Sequence, residues 1–144
     1  MSDDPTSALL MFVAHRVAEA RVLDAVRSAG FDDLTLAQSR IAQRLNREGI
    51  RVTDLAEQAG VTKQTVGGLV DELAANGYVT RKPDPADARA RLVMLTDRGE
   101  QLCMTAAAEI ACVEAEWRKH LGAKAYDELR AALVSLREIT DPYR

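Results

Sequence analysis

The chain has little of what most often carries chemistry. Among 144 residues there are two cysteines and two histidines. Cys103 and Cys112 lie nine positions apart in a helical stretch, with no C-x-x-C pair and no histidine at metal-ligand spacing. That spacing argues against a metal site and for reduced thiols in a core or interface. Nucleophile motifs and phosphate-binding loops are missing too, so the sequence gives an enzyme no support and calls for no cofactor. Aromatic residues make up only 4%, which leaves a core built of Leu, Val, Ile and Ala. No apolar run approaches the ~18–20 residues that cross a bilayer, so no membrane is expected as a partner. The opening MSDDPTSALL is acidic where a secretory signal is basic, and a cytoplasmic protein is the expectation. The length suffices for one domain with a real core.

What is present is helical periodicity with clear punctuation. Ser7 is placed to cap a first helix that runs to about Ser28, with Leu9, Val13, Val17, Ala20 and Leu23 on one face. Gly30 ends it. Thr35 followed by Gln38 is a capping-box pattern that opens a second helix through about Leu45, with Arg40, Arg44 and Arg47 on a shared face. Gly49 breaks the chain before a short helix containing Leu55 and Ala56. Gly60 makes a turn, and Thr62 caps a helix that points Val66, Leu69, Val70 and Leu73 inward and stops at Asn76-Gly77. Tyr78–Thr80 and Leu92–Leu95 are β-rich runs flanking Pro83, Asp84 and Pro85, the pattern of a hairpin. Thr96 caps a long helix to about His120. Gly122 separates it from a last helix striped with Tyr126, Leu129, Leu133 and Leu136.

Short helix, tight turn, second helix, strand, charged hairpin, strand: from Asp54 to Gly99 this order specifies a winged helix-turn-helix, a shape that puts one helix into the major groove of DNA. The fold class is therefore mainly α with a small β-hairpin wing. Three segments follow: an N-terminal helix over 1–34, a DNA-binding unit over 35–97, and C-terminal helices over 98–144. The formal net charge of −3 suits a DNA binder only if charge is segregated. Across the hairpin Arg81, Lys82, Arg89 and Arg91 outnumber Asp84 and Asp87. The first turn after Gly60 carries Thr62, Lys63, Gln64 and Thr65, short polar groups suited to base edges and phosphates. The apolar stripes of the first and last two helices call for cover, which either a second copy in a twofold dimer or an intramolecular bundle would supply.

The segments DLAEQAGVTKQTV and GYVTRKPDPADARARLVMLTDRGEQL resemble the MarR family of bacterial transcriptional regulators over roughly residues 34–102. The resemblance implies a homodimer on a pseudo-palindromic double-stranded DNA operator. It implies that Asp87 braces the wing and that Arg89 enters the minor groove, with Arg81 and Arg91 near phosphates. Gly67-Gly68 departs from the family, where a serine and a DNA-contacting arginine are common. Many members bind small aromatic or phenolic acids between the dimer helices and the winged helix. On that implication Phe12, His15, Arg16, Phe31 and Arg40 are the candidate ligand residues. The function expected is a repressor relieved by a small molecule. The rival is a ligand or thiol redox sensor of the same fold with weak or lost DNA binding.

Overall fold

The computed structural model describes residues 3–143, so the ends of the two terminal segments, 1–2 and 144, lie outside the described residues. Six helices and three strands follow in the order α1 (Ser7–Ser28), α2 (Leu36–Ala42), β1 (Ile50–Arg51), α3 (Val52–Ala59), α4 (Lys63–Ala75), β2 (Val79–Asp84), β3 (Asp87–Leu95), α5 (Asp97–Leu121) and α6 (Ala123–Thr140). The strands form one antiparallel sheet in the order β1-β3-β2. This is the mainly helical winged helix-turn-helix that the sequence specifies.

Most helix boundaries follow from capping chemistry. Thr35 and Gln38 make both halves of the capping box. Thr62 accepts a hydrogen bond from the Thr65 amide at 3.1 Å, and Thr96 accepts one from the Gly99 amide at 3.1 Å. These side-chain acceptors satisfy amides that a helix leaves free at its start. Three boundaries correct the sequence reading. The first helix is capped by Thr6, whose hydroxyl accepts from the Leu9 amide, and Ser7 is already helical. The second helix stops at Ala42, so Arg44 and Arg47 lie beyond it and share no helical face with Arg40. The wing strands are also longer than the two β-rich runs, because Pro83 and Asp84 continue β2 against Arg91 and Asp87 of β3.

The core lies in the centre of the chain. Val26, Leu34, Leu55, Val66, Val70, Leu73, Tyr78 and Val93 are fully buried in one cluster, joined by Leu102 from the start of α5. Gly99 makes that last junction possible: an added Cβ would stand 2.1 Å from the Tyr78 carbonyl oxygen. Any larger residue would push α5 away from the base of the wing. Arg98 locks the same junction, lying 4.6 Å over the Tyr78 ring and donating to its hydroxyl at 3.0 Å. The Tyr78 hydroxyl in turn donates to Asp33.

The terminal helices pack differently. α1 buries Ala18, Glu19, Val22 and Val26, whereas Leu9, Val13 and Val17 of the expected stripe face outward. Arg21 ties α1 to α5 by ion pairs with Glu109 and Glu116. On α6 only Tyr126 is buried, and Leu129, Leu133 and Leu136 remain exposed.

Candidate nucleic-acid interface and adjoining cavity

The helix-turn-helix is made by one backbone feature. Gly60 caps α3 in the left-handed conformation at φ 68°, and the Val61 amide donates back to the Ala56 carbonyl at 3.1 Å. A glycine takes that conformation without the Cβ penalty. The chain then enters α4 with Val66, Val70 and Leu73 locked in the core. This leaves the first turn of α4 outward. Lys63 and Gln64 are exposed and have no hydrogen-bond or ion-pair partner among the described residues. Thr62 donates its hydroxyl to Thr65 Oγ1 at 2.9 Å, so these two threonines orient each other while the Thr65 hydroxyl proton stays available. Gly68 lies three and four residues beyond Thr65 and Gln64, on the same helical face. At Gly67 and Gly68 an added Cβ meets nothing within 4 Å, and α4 is regular through both.

The wing is held from below by a pair that the sequence reading missed. Asp84 is buried, accepts from the Ala86 amide at 2.9 Å, and accepts from Arg51 Nε at 2.6 Å. The bond from the Ala86 amide and then the Arg51 guanidinium hold its carboxyl below the usual carboxylate range. Arg51 comes from β1, whose two residues pair with β3 at Leu92 and Val93. A two-residue strand and an ion pair spanning 33 positions leave no periodic trace in a sequence.

Asp87 acts more locally, as its carboxylate accepts from the Arg89 amide at 3.0 Å and shapes the turn into β3. Arg89 and Arg91 are two apart on β3 and so share a face of the ribbon. Both are exposed, with side chains unpartnered among the described residues. Arg81 is occupied differently. It donates to Asp71 of α4 at 2.6 Å, which ties the first wing strand to the second helix of the motif. Thr62, Lys63, Gln64 and Thr65 thus form one outward cluster, and Arg89 and Arg91 form another.

The five candidate ligand residues do not form one site, although His15 and Arg40 both reach Glu19. A cavity of 420 Å³ lies between α1, α2 and α5, lined among others by His15, Glu19, Ser39, Leu102, Cys103 and Ile110. Of the five, only His15 lines it. Phe12 and Arg16 are exposed on α1, and Phe31 packs against Tyr78 with Arg98 over its ring. Arg40 grips Glu19 in a two-pronged ion pair, Nε and Nη2 each at 2.8 Å. Glu19 is buried, and His15 Nε2 stands 3.7 Å from it. The hydrogen bonds from Arg40 hold the Glu19 carboxyl below its ordinary range against the opposing effect of burial, so it is ionised at neutral pH. The sequence carried a signal for Glu19: it stands beside Ala18 in the i, i+4 row that continues through Val22 and Val26. Cys103 points toward the Ala42 carbonyl, and burial pushes its thiol up, away from the reactive thiolate.

The geometry has counterparts among known proteins. The model of the MarR family matches residues 32–90. The transcriptional regulator HosA of Escherichia coli O111:H- is 36% identical over 75 residues, which is 51% of this chain and 56% of that protein. The transcriptional activatory protein BadR of Rhodopseudomonas palustris is 30% identical over 97 residues, covering 65% of this chain and 55% of BadR. The chain therefore spans about half the length of the curated relatives it matches. A crystal structure of MarR superposes with a TM-score of 0.77 at 26% identity, covering 96% of this chain and 92% of that one.

Proposed function

We propose that the chain is a transcriptional regulator of the MarR family, a cytoplasmic homodimer that occupies a pseudo-palindromic operator as a repressor. The observation that carries this reading is the pair of outward polar clusters: the first turn of α4, where the Lys63 and Gln64 side chains are unpartnered among the described residues, and the wing, where those of Arg89 and Arg91 are. Gln64 is suited to the paired donor and acceptor of adenine, Thr65 to a thymine methyl, and Lys63 to a phosphate or guanine. Arg89 suits the negative potential of a minor groove, and Arg91 a backbone phosphate. Arg81, held by Asp71, and Asp87, held by the Arg89 amide, position the wing in this reading. A small molecule in the cavity between α1, α2 and α5 would relieve repression by favouring a dimer whose two α4 helices no longer match the half-site spacing.

Gel-shift titration against salt, on DNA from upstream of the gene and on scrambled DNA, tests the reading. Arg89→Ala should weaken both DNAs and lower the salt slope by about one unit. Gln64→Ala should cost ~1–3 kcal/mol on the cognate site and little elsewhere. Equal losses on both DNAs for both variants would sink the division of labour. Absence of any salt-dependent binding would favour the rival reading, a sensor without DNA binding, for which the bare backbone at Gly67-Gly68 is the motive. The raised Cys103 thiol speaks against Cys103 as the sensing thiolate in that rival.

A further inference from the structure

We infer that the cavity between α1, α2 and α5 takes a small apolar molecule bearing a protonated amine, and that this molecule acts by competing with Arg40 for Glu19. The inference rests on the regulator reading above and changes its expected effector from an aromatic acid to a cation. Apart from the Cys103 thiol, the ionisable side chains that line the cavity are His15 and Glu19. The remaining wall is largely aliphatic, from Ala18, Val22, Leu45, Leu102 and Ile110 among others. Glu19 is the buried charge there, and its partner Arg40 reaches it from a side chain that is 59% exposed and lies outside the cavity wall. An organic anion entering this space meets the Glu19 carboxylate and no free guanidinium, with only Ser39, Gln43 and the His15 imidazole as donors to set against that repulsion. An ammonium meets an oriented, ionised acceptor and an apolar wall for its hydrocarbon part.

The same geometry supplies a route to the DNA-facing helix. Glu19 belongs to α1 and Arg40 to α2, so their pair fastens the first terminal helix to the winged helix. Two residues earlier on α2, Gln38 Nε2 donates to Glu72 of α4 at 2.8 Å. An ammonium that takes Glu19 from Arg40 unfastens α2 from α1, and Gln38 carries the freedom of α2 to α4.

Three probes of similar shape and different charge test this: benzylamine, benzyl alcohol and benzoate, titrated calorimetrically into the full chain. Benzylamine should bind about tenfold or more tighter than benzoate, with benzyl alcohol between them, and should weaken operator binding. Glu19→Gln should erase that order. Arg40→Gln, at an exposed position, should bind benzylamine more tightly because the competitor is gone, which keeps the test usable if Glu19→Gln misfolds. Benzoate binding as well as benzylamine, or no probe binding at all, overturns the inference. Intact salt-dependent operator binding alongside that failure leaves the regulator reading standing. Benzylamine preference in a protein that binds no DNA does the reverse.

Discussion

The winged-helix centre and the terminal helices use the same apolar residues to opposite ends. Leu73 in α4 is 0% exposed, whereas Leu133 in α6 is 41% exposed and Phe12 in α1 is 57% exposed. The centre closes on itself, with one cluster running from α1 through the sheet to the start of α5. The outer helices leave Leu10, Met11, Trp117, Leu121, Leu129 and Leu133 around an apolar groove of 570 Å³. Such a row of exposed apolar side chains on three helices suits an interaction surface. The centre therefore supplies the fold of one copy. The outer helices supply, on the reading proposed above, the bond between two.

The sharpest way to break that contrast is to remove α6. Deleting everything after Gly122 should yield an aggregating or unfolded product, because the apolar flank of α5 loses its cover. A well-folded monomer in sedimentation would show that the outer stripes are not needed by any copy. Single truncations compare the regions directly. Leu73→Ala should cost ~2–5 kcal/mol of folding stability through the cavity it leaves. Leu133→Ala should cost far less at protein concentrations where the chain is monomeric, and more where it is dimeric. Equal costs at all concentrations, read from denaturant unfolding, would erase the distinction.

Gly68→Ala asks whether the centre is as stable as it can be. The methyl fits, since nothing lies within 4 Å of it, and the change should raise stability by up to ~1 kcal/mol. A lower melting temperature would contradict a regular helix at that position. Higher stability with weaker operator binding would identify Gly68 as a point of close backbone approach, and unchanged or tighter binding would identify it as a point of mobility. The smallest expected effect is in acid. Asp84 and Glu19 both titrate below the usual carboxylate range in the folded chain. Their contribution is thus complete above the unfolded carboxylate range and is lost as pH falls through their lower folded values. Asp84→Asn should flatten the acid side of the melting curve against pH, and an unchanged slope would show that the wing brace adds nothing to stability.

The parts legible in the sequence were those with local causes. Thr35 and Gln38, Thr62, Thr96 and Asn76-Gly77 each fix a helix end from within a few residues, and the order of elements between Asp54 and Gly99 specified the fold. The first helix shows where locality runs out. Leu9, Val13 and Val17 have the spacing of a core face, but Ala18, Val22 and Val26 have it too, and only the tertiary partner decides which row turns inward. The Arg51–Asp84 and Arg40–Glu19 pairs were illegible for the same reason: each joins residues far apart in the chain across a fold the sequence does not display. The exposed cluster at Lys63 and Gln64 could be located because the inward row of α4 is unambiguous and leaves them only one direction.

Gly99 has a mechanical consequence. With α5 seated against the Tyr78 carbonyl and begun two residues after β3, no slack separates the base of the wing from the long helix. At about 1.5 Å per residue, the 25 residues of α5 make a lever roughly 37 Å long. A rotation of about 5° at its root displaces its far end by roughly 3 Å on that geometry. The relation holds in both directions. In the proposed dimer, copies gripping each other by the ends of such levers would convert a shift of a few ångströms at their contact into a small rotation of each wing.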